Sequence, residues 1–90
     1  MPAAHRQGDA NDGGGTVESV AQGTVYINGQ LASVDGSSVS GHGTGEHSGP
    51  VTANGSATVF ISGIPVNRQG DADTCGDGRA AGSPDVFVGP

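Results

Sequence analysis

Of the three histidines and one cysteine in this sequence, His42, His47 and Cys75 are the candidates to hold a transition metal. A thiolate grouped with imidazoles suits zinc, which prefers tetrahedral sulfur and nitrogen ligation; iron and copper are less expected occupants. Taken one at a time these residues carry little information. A histidine in a glycine-rich loop is ordinarily solvated, and a single cysteine is ordinarily a small buried hydrophobe. Their grouping depends on the elements that carry their loops.

Those elements are announced by a repeat. Val25-Tyr26-Ile27-Asn28-Gly29, Val59-Phe60-Ile61-Ser62-Gly63 and Val86-Phe87-Val88-Gly89 restate one apolar phrase. Arg6-Gln7-Gly8-Asp9-Ala10 returns letter for letter as Arg68-Gln69-Gly70-Asp71-Ala72. The chain begins on the second phrase and ends on the first, as a ring of three units does when it is opened inside one unit. The repeat therefore predicts a compact body with approximate threefold symmetry. The β-branched and aromatic composition predicts strands over 24–27, 58–61 and 85–88. Returning strands are expected over 30–36, 64–70 and 2–8, so that ring closure pairs the first segment with the last strand. Asn28-Gly29 is a two-residue hairpin turn, since both central positions of the favoured turn need positive φ; Ser62-Gly63 and Gly89-Pro90 occupy the same place. Eighteen glycines exclude a long helix. The expected fold class is all-β, a small pseudo-threefold cone of short β-hairpins forming a single domain over residues 1–90.

The polar loops 10–23, 38–57 and 72–84 all leave from the same end of their hairpins and are expected to gather at one pole. Val25 plus twelve residues reaches Ser37, and Val59 plus twelve reaches Asp71. His42 follows Ser37 by five positions and Cys75 follows Asp71 by four, which puts both at nearly one phase of equivalent loops, with His47 further along the first. Asp12 lies near that phase in the remaining loop, so Asp12 or a water is the expected fourth ligand. His5 is in phase with Asn67, eight residues ahead of Cys75. Eight residues of mostly extended chain span about 25 Å, so His5 belongs to the strand body.

Three protein ligands with an open position would resemble a hydrolytic zinc site, and Glu46 beside His47 could serve as its base. The chain has few large side chains to line a substrate pocket, however, and the expectation is that it is not an enzyme. The Gly-Asp pairs fit turns rather than phosphate or calcium loops, since neither Walker nor EF-hand spacing is present.

Composition sets further bounds. Val, Ile, Leu and Phe supply 16 of 90 residues, a proportion at which disorder competes with folding. A restated strand phrase argues for folding. With one cysteine no intramolecular disulfide forms, which leaves a metal or another chain to reinforce a thin core. The net charge of −6, with three arginines and no lysine, repels a nucleic-acid backbone. Neither a basic leader with an apolar stretch nor an apolar run long enough to span a membrane is present, so cytoplasmic synthesis without a cleaved signal is expected.

At the level of whole motifs the chain resembles the PAAR-repeat proteins. The resemblance rests on Pro2-Ala3-Ala4-His5-Arg6-Gln7-Gly8-Asp9, the strand phrases, Glu46-His47-Ser48-Gly49 leading to Gly55-Ser56, Asp71 with Cys75-Gly76, and Gly82-Ser83-Pro84-Asp85-Val86-Phe87-Val88-Gly89. It covers nearly the whole chain. It implies a cone that caps the trimeric β-helical spike of a contractile injection machine (type VI secretion, phage tail or extracellular particle), with a vertex metal held by His42, His47 and Cys75. Related sequences commonly carry a histidine where this chain has Asp12-Gly13-Gly14, and Leu31-Ala32-Ser33-Val34-Asp35-Gly36 replaces the PAAR wording in the central unit. The partner implied is a trimeric spike protein taking one copy per trimer. The tip would not self-associate, would touch the target membrane transiently during puncture, and would be delivered outward on the particle. An adaptor role, attaching effectors or cargo to the spike, is the alternative.

Overall fold

The computed structural model describes residues 2–41, 43 and 45–89, and only the backbone of Glu46. Its strands, in chain order, are β1 (Val17–Ser19), β2 (Tyr26–Ile27), β3 (Gln30–Leu31), β4 (Ser38–Val39), β5 (Phe60–Ile61) and β6 (Ile64–Pro65), with a 3₁₀ turn at Gly45–His47 between β4 and β5. The fold is all-β, as the repeat predicts.

Two of the three hairpins are continuous. β2 pairs antiparallel with β3, and β5 with β6. Their turns have positive φ at both central residues, 55° and 79° at Asn28 and Gly29, 53° and 77° at Ser62 and Gly63. That is the backbone twist that matches paired strands. The third hairpin is assembled from the two ends of the chain: Ala3 bridges Phe87, and Val88 N donates to Pro2 O at 2.9 Å. The equivalence extends to single bonds. Ala32 N, Val66 N and Ala4 N donate to Val25 O, Val59 O and Val86 O at 3.0, 3.0 and 2.9 Å. Ahead of each outer strand a buried side-chain oxygen receives two backbone N–H groups: Gln22 Oε1 from Thr24 and Val25, Ser56 Oγ from Thr58 and Val59, and Ser83 Oγ from Asp85 and Val86.

The three units close on one another cyclically. Ser33 N donates to His5 O, His5 N to Asn67 O and Asn67 N to Ser33 O, at 2.9, 3.1 and 2.9 Å. The bridges Ala4↔Arg68, Val66↔Val34 and Ala32↔Arg6 repeat this circuit one position to either side. Such closure explains why the strands are shorter than the four to seven residues the sequence suggests. Each returning segment pairs with its own hairpin partner for two residues and then turns to a neighbouring unit, so no ladder grows long.

Past this circuit the chain turns sharply at Gly8, Gly36 and Gly70, with φ of 90°, 87° and 95°. In two units the repeated Arg-Gln-Gly-Asp phrase closes that turn. Asp9 Oδ2 accepts from Arg6 N and Nε at 2.9 Å each, and Asp71 Oδ2 accepts from Arg68 N and Nε at 2.8 and 3.1 Å. Each arginine also reaches a neighbouring hairpin, Arg6 Nη1 to Asn28 Oδ1 at 3.1 Å and Arg68 Nη1 to Gly89 O at 3.0 Å; Pro90, expected to share a turn with Gly89, lies outside the described residues. In the central unit Ser37 Oγ, bonded to Val34 O at 2.6 Å, replaces this arrangement.

The segments expected to be polar loops carry a second tier of pairing. β1 pairs antiparallel with β4, with Val17 opposite Val39, and both residues are buried. Asn11↔Arg79 and Thr52↔Asp73 complete the equivalent contacts of the other units. Backbone carried into the interior must find partners, and here it finds them in the neighbouring unit. The apolar core is small: Ala4, Val34, Val66 and Val88, flanked by Val20, Ile27, Ile61 and Ile64. Beside it runs a buried polar column. Arg79 Nη1 meets His5 Nε2 at 2.9 Å, Arg79 Nη2 donates to Asp73 Oδ2, and Asn11 Nδ2 donates to the same oxygen at 3.0 Å. The body measures 32 × 23 × 22 Å, one long axis and two nearly equal short ones, as approximate rotational symmetry about the long axis requires.

Candidate functional site

Beyond the second tier the loops converge. Thr74 N donates to Val51 O, Asp12 N to Gly78 O and Ser40 N to Thr16 O, between 2.8 and 3.0 Å, a third circuit linking each unit to a neighbour. Next in the chain after Thr74 comes Cys75. Its loop folds back through Gly76, with φ of 91°, where Gly76 N donates to Asp73 O at 2.9 Å and Asp73 N to Asp77 O at 2.7 Å. This places Cys75 and Asp77 on the same side of a tight turn. The 3₁₀ turn at Gly45–His47, closed by Ser48 N and Oγ on Gly45 O at 3.1 and 2.8 Å, brings in His47.

The result is a three-donor cluster. His47, Cys75 and Asp77 each offer a ligand atom, and these atoms lie within 4.8 Å of one another. Asp77 Oδ2 is 3.3 Å from His47 Nδ1 and 3.4 Å from Cys75 Sγ. Cys75 is buried, while His47 and Asp77 are partly exposed. Burial pushes the Cys75 thiol pKa up, and the carboxylates of Asp77 and Asp73 push it further through their charge. A divalent cation among these donors would reverse that balance, favouring the thiolate form that binds metals. The donor set of thiolate, imidazole and carboxylate suits zinc.

Of the residues singled out in the sequence, the structure brings His47 and Cys75 together. His42 lies outside the described residues. Asp12 is not part of the cluster; its Oδ1 accepts from Gly78 N at 3.1 Å, which ties the first loop to the third. His5 lies in the interior, fully buried, with Nδ1 at 2.8 Å from Ala81 O and Nε2 on Arg79. Asp77 was not singled out. Comparing phase between loops does not reveal it, whereas the Cys75-Gly76-Asp77 spacing around a turn-forming glycine does. The side chain of Glu46 is not described.

A second feature faces outward. Tyr26, Phe60 and Phe87 are 61%, 51% and 52% exposed, and the valines preceding them, Val25, Val59 and Val86, are 39%, 38% and 37% exposed. These six residues hold equivalent positions in the three hairpins, so one chain presents the same apolar pair three times. Among the described residues no pocket is present.

A search of curated proteins finds no match to this chain. The family model of the PAAR motif matches it twice, over residues 7–78 and again over 41–89. The overlapping matches span most of the sequence and begin in different units, as the internal repeat predicts. The PAAR motif is associated with spike-tip proteins of type VI secretion and other contractile injection systems. With the threefold hairpin body on which those matches fall, the chain belongs to the PAAR-motif family.

Proposed function

We propose that this chain is the puncturing tip that caps the trimeric β-helical spike of a contractile injection machine, one copy per trimer, and sharpens it for membrane penetration. The carrying observation is the set of exposed Val-aromatic pairs repeated around one polypeptide. Exposed apolar groups of this size favour burial against a partner. A threefold set on a single chain matches a partner that itself has three chains around an axis, because each spike subunit then meets the same surface.

Within this reading His42, His47 and Cys75 bind one zinc ion where the loops converge and the apolar core does not reach. The role is mechanical. A metal that links loops stabilises them by its binding free energy in the folded state, where hydrophobic burial contributes little. The chain is made in the cytoplasm and travels outward on the assembled particle.

Binding to the trimeric spike protein of the same genome tests the reading, with Phe60→Asp and Phe87→Asp as the variants. Both positions are exposed, so the variants should fold with nearly unchanged melting temperature and lose at least tenfold in spike affinity. Spike binding unaffected by either substitution would contradict the assigned face.

A further inference from the structure

We infer that Asp77 is a ligand of the metal and that the ion joins only two of the three loops; this rests on the metal reading proposed above. Asp77 Oδ2 stands 3.3 Å from His47 Nδ1 and 3.4 Å from Cys75 Sγ, so its carboxylate already occupies the space the other two donors share. Space for it comes from the first loop, where a Cβ on Gly13 would run into the Asp77 carboxylate. Two other candidate donors among the described residues are committed elsewhere. Asp12 bonds Gly78 N, and His5 is held between Ala81 O and Arg79.

The loops are therefore tied in two different ways. The second and third meet through His47, Cys75 and Asp77. The first has no donor in the cluster among the described residues; hydrogen bonds such as Asp12 N to Gly78 O at 2.9 Å and Asn11 Nδ2 to Asp73 Oδ2 at 3.0 Å hold it, together with the buried Val17 opposite Val39. Charge favours the same assignment. One thiolate and one carboxylate neutralise a divalent cation, leaving the loaded site without net charge where it is partly withdrawn from water.

The test is cobalt(II) binding to the purified chain, followed by its visible spectrum and by competition with a chelator. The wild-type chain should bind one equivalent with a thiolate charge-transfer band. Asp77→Asn should bind at least tenfold more weakly with an altered ligand-field spectrum while keeping the thiolate band. Asp77→His, which restores a donor, should recover most of the affinity, and Asp12→Asn should behave as wild type. Wild-type spectrum and affinity in Asp77→Asn would overturn the ligand assignment and leave the metal reading intact. Weakened binding in Asp12→Asn equal to that of Asp77→Asn would overturn the two-loop arrangement. Absence of cobalt binding by the wild-type chain would overturn the metal reading itself and the assignment with it.

Discussion

At the scale of single residues, the interior relies on polar contacts to a degree its small apolar core makes necessary. His5, Ser33 and Asn67 occupy equivalent positions in the closed backbone circuit, all fully buried, and only His5 carries a titratable group there. Burial lowers its pKa from 6.5 to about 4; the Ala81 carbonyl and Asp9 oppose the shift, and Arg79 and Arg6 support it. Because the folded-state value is depressed, the neutral ring contributes its full stability above about pH 6.5, and that contribution is lost as pH falls from there towards 4. The shift corresponds to roughly 3 kcal/mol. An NMR titration of the folded protein should find the His5 ring neutral at pH 5.5, and His5→Asn should be less stable at pH 7 yet lose much of the acid-side decline. A His5 ring that titrates near pH 6.5 in the folded chain would refute this. Cys75 belongs to the same scale. Chelator, or Cys75→Ser, should lower the melting temperature by several degrees, and retention of both metal and stability in Cys75→Ser would contradict the proposed metal link between the loops.

At the scale of elements, the turns set the geometry and can be tuned. Ser62 adopts φ of 53° where the equivalent Asn28 adopts 55°. Asparagine tolerates that region better than serine, so Ser62→Asn should stabilise the chain by about 0.5 kcal/mol in a urea titration. Gly70, at φ of 95°, is the opposite case. Gly70→Ala places a Cβ on a backbone that disfavours it and should cost about 1–2 kcal/mol, with no steric neighbour to blame. The hairpins, the turns at Asn28-Gly29 and Ser62-Gly63 and the pairing of the chain ends were legible in the sequence because the same residue types fill the same roles in each copy. The caps ahead of the strands were not, since Gln22, Ser56 and Ser83 do one task with different side chains. Val17 and Val39 were hidden for a related reason: each stands almost alone in a polar stretch, so no periodicity marked the second tier they form. Asp77 reaches the cluster through a turn within one loop, which a comparison between loops does not detect.

At the scale of the whole molecule, three imperfect copies produce a nearly regular exterior around an irregular interior. The inner positions diverge to His5, Ser33 and Asn67, and then to Val17, Thr52 and Arg79, while the outer Val-aromatic pairs stay alike in type and exposure. Interior divergence lets one polypeptide build a unique core, including the buried Arg79–Asp73 pair. Exterior uniformity is what three identical partner chains require. The proposed cap thus turns on stoichiometry. Native mass spectrometry of the chain mixed in excess with its trimeric spike protein tests it most directly: one copy bound per spike trimer is predicted, and three copies, or none, would contradict it.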